Sequence, residues 1–130
     1  METFTLSLVE PAGAAVLEAA LTAGDIRLAR MFKALANPVR LAIIRWLSAH
    51  PQCITGDIVR VAGLAQSTVS QHLAVLRDAG LVCGTVDGPA TCYCVDADAL
   101  AWFGREAAGL VDQVRAATAA CICLGDGCDP

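Results

Sequence analysis

Two short amphipathic segments, joined by a glycine and followed by two strand-like runs, constrain the fold of this chain more than any other feature. The first segment ends at Gly63, and the second runs from about Gln66 to Ala79. Apolar residues recur in the second segment every three or four positions, as on one face of a helix. Residues 81–86 and 91–95 then alternate as strands do on either side of a short turn. This order predicts a helix-turn-helix followed by a β-hairpin.

The remaining segments predict further helices around this unit. A first helix is expected from about Ala12 to Ala23, and Asp25 is expected to cap the second. Asn37 followed by a proline is a strong start signal for the third helix. Asp96 is expected to cap a long last helix that ends near residue 120. The predicted fold class is therefore mainly α with a small β-hairpin, a winged helix-turn-helix.

Composition limits the class of protein. A chain of 130 residues with 56% hydrophobic and 17% charged residues predicts one folded domain. No apolar run is long enough to span a membrane, and residues 1–10 do not resemble a secretory signal, so a cytoplasmic location is expected. The net charge of −4 argues weakly against DNA, but seven of the nine basic residues fall between residues 27 and 77. DNA therefore remains a plausible partner.

The second segment of the helix-turn-helix carries polar side chains suited to reading DNA. Once its apolar face is buried, short donors and acceptors occupy the opposite face: Gln66, Ser67, Thr68, Ser70 and Gln71. A solvated helix face is the alternative, but the surrounding elements favour a recognition helix. Arg77 is expected to contact phosphate or to form a structural ion pair. His72 is equally compatible with a DNA contact and with a packed, hydrogen-bonded histidine.

The last predicted helix carries a regular apolar seam. Its members recur at spacings of three and four: Leu100, Phe103, Ala107, Leu110, Val114 and Ala117. A buried face within one chain is the alternative interpretation. The helix is longer than the predicted core needs, however, which favours a homodimer formed through the first and last helices.

Three segments together resemble the ArsR/SmtB family of metal-responsive repressors. They are residues 31–41, 67–76 and 78–82, and the resemblance extends over about residues 28–103. It implies a homodimer that binds a near-palindromic DNA operator and dissociates when an effector binds. The wing tip departs from the family pattern because it lacks a cation. Ala65 also stands where the family often has a capping serine, which makes Ser67 a candidate cap instead.

The C-terminal tail, residues 121–130, is predicted to be the sensing segment beyond a domain formed by residues 1–120. Cys121, Cys123 and Cys128 lie within eight residues, with glycines that allow the three sulfurs to converge. Three thiolates without harder ligands favour soft ions, and a pyramidal three-sulfur shell suits As(III) or Sb(III). The family resemblance points the same way, since some arsenite-responsive members place three cysteines beyond the dimer helix. A tail with incidental thiols is the alternative.

The other cysteines carry weaker signals. A turn centred on residues 88–89 places Cys83 opposite Cys94, with Cys92 on the same face. A second metal site, a redox pair and buried structural cysteines are the alternatives, and the last is the commonest fate. Cys53 lies one residue away from the position of another family metal site. The last helix has no histidine, which disfavours zinc and nickel.

The sequence therefore predicts a metalloid-responsive repressor rather than an enzyme. Alternatives within regulation are a thiol-redox or persulfide sensor and a sensor of mercury, cadmium or lead. A metal-sequestering thiol protein is the alternative outside regulation. An enzyme is disfavoured because the chain has no Cys-x-x-Cys motif, only two histidines and no paired acids near a cysteine.

Overall fold

The computed structural model describes residues 17–51, 53–87 and 90–118, and shows a mainly helical chain with a small sheet. Its helices are α1 (Ala23–Leu35), α2 (Pro38–Ala49), α3 (Thr55–Ala62), α4 (Gln66–Asp78) and α5 (Ala97–Thr118). Its strands are β1 (Cys53–Ile54), β2 (Val82–Asp87) and β3 (Ala90–Val95). The predicted order of helices and hairpin is confirmed. No helix in the described part of the chain is long and apolar enough to cross a membrane.

The hairpin is part of a three-stranded sheet of order β1-β3-β2. Strands β2 and β3 pair antiparallel, with Cys83 opposite Cys94 as the sequence predicted. The two-residue strand β1 joins the other edge of β3, where Cys53 pairs with Tyr93. The sequence did not predict β1, because two residues are too few to show a strand periodicity.

One hydrophobic core joins the helix-turn-helix to the sheet. The side chains that are completely buried come from α1, α4 and the start of the hairpin: Met31, Val69, Leu73, Leu76 and Leu81. Tyr93 on β3 is 8% exposed and belongs to the same core. The apolar face predicted for α4 is therefore the buried one.

Two helix starts show how local hydrogen bonding decides the boundaries. The Asn37 side chain accepts hydrogen bonds from the backbone N–H groups of Val39 (2.9 Å) and Arg40 (3.2 Å), so the predicted cap of α2 is confirmed. The prediction for α1 is wrong. Thr22, rather than Asp25, is its N-cap, and the two residues form a reciprocal capping box.

The capping box places the start of α1 one turn earlier than predicted. Residues 17–20 are helical, but the chain leaves the helix at residues 21 and 22, and Gly24 lies in the first turn of α1. Hydrogen bonds from the Thr22 backbone and hydroxyl lower the pKa of the Asp25 carboxyl. The rest of the predicted first helix lies outside the described residues.

Helix α4 ends in a Schellman turn. The N–H of Gly80 donates to the carbonyl of Arg77 (2.9 Å), and the N–H of Leu81 donates to that of Leu76 (2.9 Å). Gly80 has a φ of +78°, which a side chain would disfavour. Leu76 and Leu81 are both completely buried, so the turn also contributes to the core.

A backbone hydrogen bond joins the two residues that flank the hairpin. The N–H of Asp96 donates to the carbonyl of Leu81 (2.9 Å), which closes the base of the hairpin. The Asp96 carboxylate then accepts a hydrogen bond from the N–H of Ala99 (3.0 Å), so it caps α5 as predicted.

Candidate nucleic-acid interface

Helix α4 presents an uninterrupted polar stripe opposite its buried face. Gln66, Ser67, Ser70 and Gln71 are all exposed, whereas the apolar residues of α4 that face the core are completely buried. Spacings of three and four residues bring the four polar side chains onto one face of the helix. The stripe lies in the first half of the helix, the part that meets base edges in helix-turn-helix proteins.

The first turn of α4 has no side-chain cap. Ala65 is the N-cap and its side chain offers no acceptor, while the predicted alternative cap, Ser67, lies inside the first turn. The prediction that Ser67 caps the helix is therefore wrong. The leading N–H groups of a helix without such a cap point towards solvent, where they suit a DNA phosphate.

Two residues predicted to read DNA lie at the side of the stripe. Thr68 and His72 are only partly exposed. Nδ1 of His72 lies 3.4 Å from Nη1 of Arg40 on α2. Of the two roles that the sequence left open for His72, this contact favours the packed and hydrogen-bonded one.

Arg40 connects three helices. Its Nε donates to the carbonyl oxygen of Ala34, and its Nη2 lies 3.4 Å from the carbonyl oxygen of Lys33. Ala34 and Lys33 both lie in the last turn of α1. A cation is favoured at this helix end, where carbonyl groups lack partners. The same residue lies in the first turn of α2, where a cation is disfavoured. That mismatch is a sequence signal that Arg40 acts elsewhere, and it was not among the features used to predict the site.

Some of the other basic side chains contact groups within the chain, and others are exposed to solvent. The guanidinium of Arg27 lies 4.0 Å from the centre of the Trp102 ring, and Arg60 pairs with Asp57. Arg77 is exposed in the last turn of α4, and no acidic side chain among the described residues forms an ion pair with it. A phosphate contact is thus the better of the two roles considered for Arg77.

The hairpin cysteines are not buried, contrary to the preferred interpretation. Cys83 and Cys94 are exposed and Cys92 is partly exposed, because Tyr93 and Val82 take the inner face of the sheet. Sγ of Cys83 lies 3.9 Å from Oδ2 of Asp96. Within the described ranges, no three side chains of histidine, cysteine, aspartate or glutamate converge to hold a metal ion.

The apolar seam of α5 divides into two parts. Its first part packs on the chain itself, with the ring of Phe103 4.9 Å from that of Phe32. Its second part is open to solvent: Leu110 is 45% and Val114 52% exposed, and Val111 beside them is 54% exposed. An uncovered apolar stripe of this length is unusual for a monomer.

The C-terminal tail and the two residues at the wing tip lie outside the described part of the chain. Cys121, Cys123 and Cys128, the predicted metal ligands, lie outside the described residues, as does the wing tip at residues 88–89. The proposed division into residues 1–120 and 121–130 stays a prediction for the same reason.

Sequence comparison identifies similar regulators. Residues 37–83 match the family described as bacterial regulatory protein, arsR family. The HTH-type transcriptional regulator YgaV of Escherichia coli is 37% identical over 82 residues, which cover 63% of this chain and 83% of that protein. Residues 37–83, the part that matches the family, contain both helices of the helix-turn-helix.

Solved structures give the same result. A crystal structure of a possible transcriptional regulatory protein (fragment 1–100) from Mycobacterium bovis is 30% identical, with a TM-score of 0.54, covering 78% of this chain and 96% of that one. A solution structure of a homodimeric winged helix-turn-helix DNA-binding domain from M. bovis, described as a possible ArsR-family regulator, is 28% identical. Its TM-score is 0.54, and the match covers 84% and 88% of the two chains.

Proposed function

The chain belongs to the ArsR family of bacterial regulatory proteins, and on this premise we propose that it is a metalloid-responsive repressor. It binds a double-stranded DNA operator as a homodimer and leaves the operator when As(III) or Sb(III) binds cysteine thiolates. The observation that carries the proposal is the exposed polar stripe on α4, held on a helix whose other face is fully buried.

DNA recognition is assigned to α4 and the turn before it. Gln66, Ser67, Ser70 and Gln71 face the bases, while Thr68 and His72 lie at the edge of the contact. Arg77 contacts phosphate and adds affinity without sequence preference. Three of the basic residues between residues 27 and 77 that could attract DNA contact other groups of the chain instead: Arg27, Arg40 and Arg60. Operator affinity therefore depends mainly on α4.

Dimerisation is assigned to the exposed half of the α5 seam. A groove of about 630 Å³ runs beside it between α1 and α5, with Leu28, Phe32 and Leu110 among its lining residues. A second copy would cover these apolar side chains, as hydrophobic burial favours. The dimer places two recognition helices about 34 Å apart, one turn of DNA, which a palindromic operator requires.

The effector site is assigned to the tail. Cys121, Cys123 and Cys128 supply three soft sulfur donors, and the two glycines near Cys128 let the chain fold back. Trivalent arsenic and antimony take three thiolates and keep a lone pair in the fourth direction. For release, the ion must bind the DNA-free dimer better than the DNA-bound one, and a typical coupling is about 1–3 kcal/mol.

A mobility-shift assay on the protein's own promoter tests the proposal. We expect a shifted complex that dissociates on adding arsenite or antimonite under reducing conditions. The variant with serine at Cys121, Cys123 and Cys128 should bind DNA and ignore arsenite. A matched variant with serine at the three hairpin cysteines should still respond.

Three results would contradict the proposal. If arsenite still releases the triple tail variant from promoter DNA, the effector site lies elsewhere in the chain. Release by mercury, cadmium or lead but not by arsenite would replace the effector. Failure of the folded protein to retain any promoter DNA would favour a metal-sequestering role.

A further inference from the structure

Three cysteines share the outer face of the hairpin. Cys83 is directly opposite Cys94 in the β2–β3 ladder, and Cys92 precedes Cys94 by two residues on β3. Side chains two apart on a strand point to the same side, and so do those of directly opposed residues. The thiols of Cys83 and Cys94 are free, and both residues are exposed. The hairpin therefore offers a dithiol to small molecules in solution.

The ladder register brings Cys83 and Cys94 within the range of a disulfide. Opposed residues in antiparallel strands have Cα atoms about 4.5 or 5.5 Å apart, depending on their place in the ladder. A disulfide requires about 4.4–6.8 Å, so either arrangement permits the bond without moving the strands. Cys92 is opposite Thr85 instead, and its diagonal distance to Cys83 is about 7–8 Å. Cys94 is therefore the partner that fits Cys83.

We propose that Cys83 and Cys94 form a redox site, closing to a disulfide when a low-molecular-weight disulfide such as oxidised glutathione accumulates. The Cys94 thiolate attacks one sulfur of the oxidant and releases one glutathione thiolate. The Cys83 sulfur, on losing its proton to water, attacks the Cys94 sulfur and releases the second. Two protein thiols lose two electrons and two protons, and one oxidised glutathione becomes two reduced molecules. This site is separate from the tail cysteines of the proposed function.

The surroundings of Cys83 set the order of the two steps. Partial loss of water around the sulfur, then the negative charge of Asp96, then the neighbouring Cys94, raise the pKa of the Cys83 thiol. A protonated thiol is a poor nucleophile, so the first attack falls to Cys94. The same effect slows the second step, in which the Cys83 sulfur attacks the Cys94 sulfur.

Peptide mapping tests this proposal in a host variant with serine at Cys121, Cys123 and Cys128. The protein is equilibrated with oxidised glutathione, its remaining thiols are alkylated, and a protease that cleaves before aspartate releases residues 78–86 and 87–95 as separate peptides. We expect the two peptides to be joined by a bond that dithiothreitol breaks, in a protein that runs as a monomer on a non-reducing denaturing gel.

Single substitutions identify the partner. Cys92→Ser is the matched control and should keep the cross-link, whereas Cys94→Ser should lose it. Separate, alkylated peptides in the host variant would overturn the proposal. A cross-link retained in Cys94→Ser would assign the bond to Cys92, and a cross-linked dimer on the gel would show bonding between chains; either result would overturn it too.

Discussion

Nη1 of Arg40 lies 3.4 Å from Nδ1 of His72, so α2 contacts the recognition helix through a side chain that also caps α1. The guanidinium can only donate, so Nδ1 of His72 is the acceptor in this contact. One cation thus fixes the end of α1 and one side of α4 relative to the start of α2. The orientation of the polar stripe on α4 depends in part on this residue.

Arg40→Ala should destabilise the fold by about 1–3 kcal/mol, because the partly buried carbonyl of Ala34 at the end of α1 loses a charged donor. Urea unfolding should show a lower midpoint with an unchanged slope. Arg45→Ala is the control, since Arg45 is exposed on the same helix. Equal midpoints for the two variants would mean that the Arg40 contacts contribute nothing to stability.

Gln71→Ala or Ser67→Ala should weaken operator binding by about 1–3 kcal/mol if the lost group reads a base.

Arg77→Ala should weaken binding to all sequences alike and flatten the salt dependence, because it removes a phosphate contact. Arg105→Ala on α5 is the matched cation control. Fluorescence anisotropy with operator and scrambled DNA measures both effects. Unchanged operator affinity in both polar variants would place the reading surface elsewhere.

Leu110→Asp should break the dimer, because it puts an unpaired carboxylate into the apolar contact. Sedimentation equilibrium should then give the mass of one chain, and specific DNA binding should fall with it. Ala116→Asp is the control, since Ala116 is exposed and lies on the side of α5 away from Leu110, Val111 and Val114. An intact dimer in Leu110→Asp would show that the interface does not use this part of the helix.

Asp96→Asn should make Cys83 more reactive. Removing the negative charge lowers the pKa of the Cys83 thiol, so more thiolate is present at every pH below that pKa. Asparagine can still cap α5, which keeps the fold intact. The rate of iodoacetamide labelling of the 78–86 peptide is measured from neutral to alkaline pH. The pH at which this rate rises should be lower in Asp96→Asn than in the unmodified protein.

Asp98→Asn is the control for that experiment. Asp98 lies in the first turn of the same helix and is not among the causes that raise the pKa of Cys83. Identical labelling profiles for Asp96→Asn and the unmodified protein would contradict the assigned cause.

Long periodic segments of the sequence predicted the fold well. The apolar spacing of α4 identified its buried face, and the alternation around the turn gave the pairing of Cys83 with Cys94. The exposed side of that pair could not be predicted, because the pairing register does not say which face the helices cover. Tyr93 takes that inner face, and its neighbours Cys92 and Cys94 are turned outward.

The start of α1 and the role of Arg40 were missed for a different reason. Both Thr22 and Asp25 are good capping residues, and only the reciprocal bonds of the folded turn decide between them. Arg40 acts through contacts with Ala34, in the preceding helix, and with His72, 32 positions further along the chain. Its unfavourable place in the first turn of α2 indicates a role elsewhere, but no local pattern identifies its partners in the other helices.

The hydrogen bond between Asp96 and Leu81 closes the base of the hairpin and separates its tip from the helices on either side. Because the chain departs and returns at the same place, residues 82–95 form a closed excursion from the path between α4 and α5. Insertions or deletions near the turn would leave both helices where they are. A tip with arginines or a longer loop can therefore be introduced to add minor-groove contacts without realigning the helices of the proposed dimer.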